Sequence, residues 1–170
     1  MRVLDLGCGT GTLTVMLKRS APGAYITGLD GDAEVLAIAR GKAERGGQDI
    51  QWDHGMAFAL PYPDHSFDVV VTSLVIHHLV SADKQRVFQE VRRILRPGGR
   101  FHIVDFGRPF SPITRLQARV MKRLEEAADN FAGRVLPMLR AAGFRSAQEA
   151  ENINTLFGPV WFYEAHKEKE

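Results

Sequence analysis

Three glycines and one acidic residue near the start of the chain have the types and spacing of a ligand-binding turn. Gly7, Gly9 and Gly11 follow a short apolar run in the sequence MRVLDLGCGTGTLT. Glycine lets the backbone approach a ligand closely, and the following helix offers free N–H groups to a carboxylate or phosphate. Asp5 precedes the glycines, where its carboxylate would repel a pyrophosphate but suits a ligand carrying an ammonium and a sulfonium. The G-x-G-x-G spacing also differs from the G-x-G-x-x-G fingerprint of dinucleotide sites.

Asp30 is the second acidic candidate. It ends the next apolar run, at about the separation from the glycines at which an acidic residue binds ribose hydroxyls in nucleotide folds. The alternative role for Asp30 is the N-cap of the helix that follows. The glycine turn upstream favours the ligand-binding role.

His77 and His78 are the candidate bases. They follow the apolar run FDVVVTS after a few residues. Side chains at adjacent positions point apart, so we expect at most one of the two rings to face a cavity. The alternative is a histidine that hydrogen-bonds the helix packed above it. A metal pair is disfavoured because no carboxylate or histidine partners stand at ligand spacing, so the sequence implies no metal.

Short apolar runs alternate with amphipathic segments, a pattern that predicts βαβ units in a doubly wound α/β sheet. The predicted strands are Val3–Leu6, Tyr25–Asp30, Ile50–Trp52, Phe67–Ser73, 100–106, Ala147–Thr155 and Pro159–His166. The predicted helices are Thr12–Arg19, Asp32 to about Arg45, Ser81 to a loop at Arg96–Gly99, Pro112–Asp129, and one that ends at Gly143. The last two strands are expected to form an antiparallel pair.

Composition narrows the class of protein. A chain of 170 residues with 45% hydrophobic and 25% charged residues predicts a single globular domain over residues 1–170. The net charge of +2 gives no reason to expect nucleic acid as a partner. No run approaches the ~18 apolar residues of a membrane helix, so no membrane span is expected. Cys8 is the single cysteine, which excludes an internal disulfide and fits a cytoplasmic location.

Five segments, in this order, resemble class I S-adenosylmethionine-dependent methyltransferases: VLDLGCGTG, GLD, LPYPDHSFDVVVTSLVIHHL, RILRPGGRFHIVDF and AAGF. They are most similar to the small-molecule branch that includes ubiquinone- and menaquinone-biosynthesis-type enzymes. The resemblance covers nearly the whole chain. It implies a Rossmann-like, seven-stranded, mostly parallel sheet with the last strand antiparallel, and S-adenosylmethionine lying across the carboxyl ends of the early strands.

The resemblance also implies which residues bind the cofactor. They are Asp5, Gly7, Cys8, Gly9, Gly11, Asp30, Gly31, Met56, Ala57 and Ser73. Met56 stands where family members usually carry an aspartate that contacts the adenine amino group. The N–H of Ala57 is expected at the adenine edge, and the Met56 thioether is expected against the ring. The same resemblance favours His78 over His77 as the base.

The reaction implied is methyl transfer from S-adenosylmethionine to a small-molecule acceptor by direct in-line displacement, which leaves S-adenosylhomocysteine. Orientation supplies much of the catalysis in such a step. Ser73 stands where metal-dependent catechol-type relatives carry an aspartate, in keeping with the absence of a metal. Two alternatives stay open: a non-catalytic S-adenosylmethionine-binding module, and an NAD(P)-dependent oxidoreductase, which Asp5 and the glycine spacing disfavour.

The front of the chain is short by comparison with this family, whose members carry a helix and part of a lid before the glycine turn. Only Met1 and Arg2 precede the first predicted strand. A sheet face without that helix would expose an apolar patch, so we expect self-association or poor solubility, with a homo-oligomer or another partner subunit as the cover. A site without a lid admits water, which predicts low activity.

Two other patterns are not expected to be sites. Tyr163 and Lys167 match the Tyr-x-x-x-Lys pair of short-chain dehydrogenases, but they fall in a predicted strand rather than on one helical turn. The basic stripe from Arg115 to Arg123 is followed directly by acidic residues, which is typical of a solvated helix face.

Overall fold

The computed structural model describes residues 1–115 and 127–169. The helix predicted from Pro112 to Asp129 lies mostly outside this part of the chain, although residues 112–115 are helical. Most of the basic stripe that ends at Arg123 also lies outside the described residues.

The sheet has seven strands in the order β3-β2-β1-β4-β5-β7-β6. They are β1 (Arg2–Leu6), β2 (Tyr25–Asp30), β3 (Gln51–His54), β4 (Phe67–Ser73), β5 (Leu95–Phe106), β6 (Gln148–Thr155) and β7 (Gly158–His166). The first five pair in parallel, and β7 is antiparallel to both β5 and β6. This confirms the predicted fold class, a doubly wound, Rossmann-like α/β sheet with an antiparallel last strand.

Five labelled α-helices and a 3-10 turn at Ile76–His78 connect these strands within the described ranges. The helices are α1 (Thr12–Ser20), α2 (Ala33–Arg45), α3 (Ser81–Ile94), α4 (Ala128–Phe131) and α5 (Val135–Ala141). Helix α2 begins where the sequence predicts, because the Asp32 carboxylate accepts the N–H groups of Glu34 and Val35 at its first turn. None of the helices in the described ranges is long and apolar enough to cross a membrane.

Helices cover both faces of the sheet, as a doubly wound fold requires. Val3 and Leu4 of β1 point to opposite faces because side chains alternate along a strand. Val3 packs against Leu17 of α1 in a small cluster. Leu4 joins the larger core, which includes Phe88 of α3 and Leu139 of α5. The carboxyl ends of β1 to β4 therefore lie between two packed layers, where loops can form a site.

The segment Arg96–Gly99 differs from its prediction as a loop. It lies within β5, which begins directly after α3 ends. Leu95 pairs with Phe67 of β4, and after a register shift Arg100 pairs with Val69. The shift lets a strand contain a proline, which has no N–H to give to the ladder. The helix still ends before the proline, as predicted.

Tyr163 lies within β7, and Lys167 follows the last residue of that strand. The two side chains therefore do not share a helical turn, as the sequence predicts. Tyr163 packs in the larger core.

Phe101 provides a test of the larger core. Its fully buried ring contacts those of Phe88 and Phe144, at centroid distances of 6.2 and 5.9 Å. We expect Phe101→Ala to lower the free energy of unfolding by about 3–5 kcal/mol in urea titrations, because it leaves a cavity between α3 and β5. Ile38→Ala, on an exposed helix position, is the control and should change it by less than about 0.5 kcal/mol. Equal effects of the two substitutions would contradict this account of the core.

Candidate functional site

The glycine turn lies between β1 and α1 and is bonded to the end of β2. The N–H groups of Gly7 and Cys8 both donate to the carbonyl of Leu29, at 2.8 and 3.0 Å. Gly11 is the N-cap of α1 in a left-handed conformation. The predicted turn therefore forms, and its backbone faces the carboxyl ends of β1 and β2.

Two of the glycines have different reasons to lack a side chain. Both have positive φ angles, 70° at Gly7 and 52° at Gly9. A Cβ atom at Gly7 would lie 2.5 Å from Cγ2 of Val75, so the loop after β4 occupies that space. A Cβ atom at Gly9 would meet nothing within 4 Å. The turn is thus closely packed at Gly7 and leaves open space at Gly9.

Asp30 is held at the end of β2 with acceptor capacity to spare. Its Oδ2 accepts the N–H of Gly9 at 2.7 Å, and its Oδ1 accepts the N–H of Asp32 at 3.0 Å. The helix cap itself is Asp32, so the alternative role of Asp30 as the N-cap is wrong. A carboxylate has about four acceptor positions, and two remain for a ligand's hydroxyl groups.

A cleft of about 330 Å³ opens beside the glycine turn. Its walls include six of the residues singled out from the sequence: Gly7, Asp30, Gly31, Met56, Ala57 and His78. The sequence reasoning missed most of its apolar wall, which includes Leu29, Phe58, Val75 and Leu79. Part of this wall could have been found from the sequence, since these side chains stand in or next to the loops that follow β2, β3 and β4.

Met56 lies at the rim of the cleft, and about half of its side chain is exposed. The loop that carries it is joined to β2, because the N–H of Gly55 donates to the carbonyl of Asp30 at 3.0 Å. The Met56 sulfur lies 3.0 Å from the position a Cβ atom of Gly31 would take. Gly31 therefore leaves room for the thioether at the cleft wall.

Asp5 is buried beneath the glycine turn instead of lining the cleft. Its Oδ2 accepts the hydroxyl of Thr14 at 2.6 Å, a partner on α1 that sequence reasoning missed. Burial raises the pKa of Asp5 from 3.8 to about 6, the nearby charge of Asp30 adds to this, and the Thr14 hydrogen bond opposes it. A role for Asp5 in holding a ligand remains a prediction.

The remaining predicted residues stand outside the cleft walls: Cys8, Gly9, Gly11 and Ser73. Burial raises the pKa of the Cys8 thiol to about 12, so it stays protonated and is a poor nucleophile at neutral pH. Ser73 is half-buried at the end of β4, next to Leu74, whose φ of 57° is rare for a side-chain-bearing residue. That conformation turns the chain sharply from β4 toward the cleft.

The two histidines lie in the 3-10 turn after β4 and have different surroundings. His78 lines the cleft. The Nδ1 atom of His77 lies 2.8 Å from Oδ1 of Asp105, a buried residue of β5. The two imidazole rings are in contact, with centroids 4.0 Å apart. The sequence reasoning missed Asp105, whose position in an apolar strand gives no sign of its partner in a distant turn.

The comparisons with known proteins agree with this geometry. Residues 3–99 match a family model described as a methyltransferase domain. A demethylmenaquinone methyltransferase of Thermus thermophilus is 43% identical over 108 residues, which cover 64% of this chain and 48% of that protein. A demethylmenaquinone methyltransferase of Deinococcus radiodurans is 34% identical, with 88% of this chain and 70% of that protein covered.

A solved structure has the same fold. The crystal structure of an S-adenosylmethionine-dependent methyltransferase from Methanosarcina mazei superposes with a TM-score of 0.79 and 22% identity, covering 99% of this chain and 93% of that chain. The chain spans about half the length of several curated relatives that it matches.

The sheet order, the glycine turn and the acidic residue at the end of β2 define a class I S-adenosylmethionine-dependent methyltransferase fold. The chain belongs to the methyltransferase-domain family, and its similarity to two demethylmenaquinone methyltransferases places it in the quinone-biosynthesis type of that class. The cofactor of this class is S-adenosylmethionine.

The residues in and beside the cleft fit this cofactor. Asp30 presents free acceptor positions to ribose hydroxyls, and the open space at Gly9 admits a ligand to the backbone. The mixed walls, apolar at Leu29 and Phe58 and acidic at Asp30, match a nucleoside with an apolar ring face and a polar sugar.

Gly7 and Gly9 allow a matched test of the turn. Alanine at either position is strained by the positive φ, but only at Gly7 does the new Cβ collide with Val75. We expect Gly7→Ala to be less stable than Gly9→Ala by about 1–3 kcal/mol in urea unfolding, because of the overpacking. Equal free energies of unfolding would mean that the Val75 contact does not constrain the turn.

The raised pKa of Asp5 predicts a pH dependence of stability. A carboxyl that holds its proton more tightly in the folded chain stabilises the fold below its usual pKa of 3.8, and this contribution is lost as the pH rises through about 6. The loss amounts to about 3 kcal/mol. Asp5→Asn keeps an oxygen for the Thr14 hydroxyl and cannot titrate. Urea unfolding between about pH 4 and pH 7 should therefore show the wild type losing stability relative to Asp5→Asn. Parallel curves would contradict the raised pKa.

Proposed function

We propose that this chain binds S-adenosylmethionine in the cleft and transfers a methyl group to a quinol-type small molecule. The observation that carries the proposal is the Asp30 carboxylate, held by the N–H groups of Gly9 and Asp32 at the cleft wall. A carboxylate fixed in this way binds two adjacent hydroxyls without reorganising, and a ribose provides them. The family match over residues 3–99 supports the same cofactor.

The other parts of the cofactor are assigned to the neighbouring loops. The adenine ring lies against the Met56 thioether, with its edge at the N–H of Ala57. The methionine part lies along the open side of the glycine turn at Gly9, toward the N-terminus of α1. The half-exposed Met56 and the open space at Gly9 support these positions.

Bound S-adenosylmethionine supplies a methyl group that its sulfonium already activates for displacement. The task of the chain is therefore to orient the acceptor in line with the carbon–sulfur bond and to exclude water. Leu74 and Val75 present apolar surface where β4 ends, which suits an apolar acceptor. The family resemblance favours His78, which lines the cleft, as the base.

The names of the similar proteins point to the class of acceptor. Both are demethylmenaquinone methyltransferases. The two oxygens of a quinone are carbonyls, so a methyl group that the quinone retains must be bonded to carbon. A quinone ring is electron-poor, and displacement at a sulfonium requires an electron-rich attacking atom. The reacting acceptor is therefore the reduced, dihydroxy form of the ring, methylated at a carbon beside a hydroxyl.

Binding of the cofactor is tested first. Calorimetric titration with S-adenosylmethionine and S-adenosylhomocysteine should give saturable binding, weakened at least about tenfold in Asp30→Ala because two hydrogen bonds to a charged group are lost. Asp49→Ala is the matched control, since it removes a carboxylate from the opposite end of the sheet, and it should bind like the wild type. Unchanged affinity in a folded Asp30→Ala variant would contradict the assigned site.

Methyl transfer is tested next, without oxygen, with 1,4-dihydroxynaphthalene as the acceptor and isotope-labelled S-adenosylmethionine as the donor. The expected product carries the label on a ring carbon. Tight cofactor binding with no transfer to any quinol would contradict the proposed methyltransferase activity. It would favour a non-catalytic S-adenosylmethionine-binding module.

A further inference from the structure

Asp105 is a carboxylate without exposed surface near the end of β5, and it gathers four hydrogen bonds. Its Oδ2 accepts the backbone N–H groups of Ile76 and His77, at 2.7 and 3.3 Å. Its Oδ1 accepts the N–H of Phe106 at 2.7 Å and contacts Nδ1 of His77 at 2.8 Å. A buried carboxylate costs several kcal/mol unless donors surround it. These bonds therefore hold the 3-10 turn, which follows β4, against the end of β5.

The same contacts determine which nitrogen of His77 carries a proton. An ionised carboxylate only accepts hydrogen bonds, so Nδ1 of His77 must be the donor. In the neutral ring this leaves Nε2, on the opposite edge, with its lone pair free to accept a proton. A ring whose one nitrogen is held by a carboxylate is the arrangement that orients a general base.

The His77 ring lies between the cleft and the end of β5. It packs on His78, a cleft residue, and makes an edge contact with Phe106 at 4.8 Å between centroids. About 11% of the His77 side chain is exposed, whereas that of Asp105 is fully enclosed. Of His77 and Asp105, His77 is therefore the residue that can contact an acceptor bound beside the cleft.

We propose that His77, oriented by Asp105, is the base that takes the acceptor's proton. The inference rests on the proposed methyl transfer and moves to His77 the role that the sequence assigns to His78. Asp105 is a positioning residue, because it acts on the reaction only through His77 and the turn.

The hydroxyl proton of the quinol passes to Nε2 of His77, and the neighbouring ring carbon becomes electron-rich. That carbon forms a bond to the methyl group while the carbon–sulfur bond breaks, and its electron pair stays on the sulfur. The methylated carbon then loses its hydrogen as a proton, and the ring oxygen takes its proton back from His77, which restores the aromatic dihydroxy ring. One proton in total reaches the solvent.

His77→Ala tests the base role. With the quinol assay, we expect kcat to fall by about 10²-fold or more, while the affinity for S-adenosylhomocysteine stays within about threefold of the wild type. Added imidazole should raise the kcat of His77→Ala at least about tenfold, because imidazole fits the vacated space and accepts the same proton. A purely structural role would not respond to imidazole. His78→Ala is the comparison: rescue of that variant instead of His77→Ala would overturn the proposal.

Asp105→Asn tests the positioning role. The amide retains an oxygen for the N–H groups of Ile76 and His77 but turns its own N–H toward the ring, which reverses the tautomer of His77 and removes the acceptor of the Phe106 N–H. We expect a lower kcat with unchanged cofactor affinity, and no further loss when Asp105→Asn is added to His77→Ala. Losses that multiply in the double variant, or a His77→Ala variant that keeps more than about a third of kcat, would overturn the assignment.

The two proposals fail in different ways. A wild-type chain that binds cofactor but methylates no quinol contradicts the proposed function, and the base role with it. An active wild type whose His77→Ala variant stays active contradicts the base role alone. Thermal melts of each variant exclude global unfolding as the cause of a lost rate.

Discussion

The junction of the glycine turn with the end of β2 is the constraint on which the site depends. Two consecutive N–H groups, of Gly7 and Cys8, converge on the Leu29 carbonyl, and the N–H of Gly9 reaches the Asp30 side chain. Because these bonds come from one turn, they set the start of α1 and the direction of the Asp30 carboxylate together. A chain that formed β1 and β2 without this turn would keep much of its core but would lose the cleft wall. The binding geometry is therefore local, and the two packed layers of helices hold it in place.

Buried carboxylates join separate helices, strands and turns at three other places. Asp5 accepts from Thr14 of α1, and Asp105 accepts from the turn that carries the histidines. Asp129 of α4 accepts from Ser81 at the start of α3. Burying an ion pair or a hydrogen-bonded carboxylate gives little net stability, because desolvation offsets much of the attraction. What these contacts provide is position, since each donor is satisfied in one arrangement only. The apolar core supplies the stability that permits them.

The sequence predicts most of the fold and part of the site. Alternating apolar runs and the glycine turn are local signals, and so is the cap at Asp32, which is why the doubly wound, mostly parallel sheet with an antiparallel last strand is confirmed. Arg96–Gly99 was harder to predict, because proline and glycine usually end a strand and the register shift that admits them depends on the neighbouring β4. Asp105 could not be predicted, since its bond to His77 joins residues 28 positions apart and leaves no periodic pattern. The apolar wall of the cleft was likewise outside the reach of motif reasoning.

The place of β7 in the sheet has a consequence for how the chain folds. It lies between β5 and β6, although it follows both in sequence. Strands β1 to β5 can pair with one another as they emerge, but β6 has no partner in the sheet until β7 has inserted beside β5. During synthesis the backbone of β6 therefore stays unpaired until β7 has formed. The edge of β5 also stays unpaired until β7 bonds to it from Arg100 to Phe106. Closure of the sheet is a late, long-range event, and the interval before it is when the nascent chain is most exposed to aggregation.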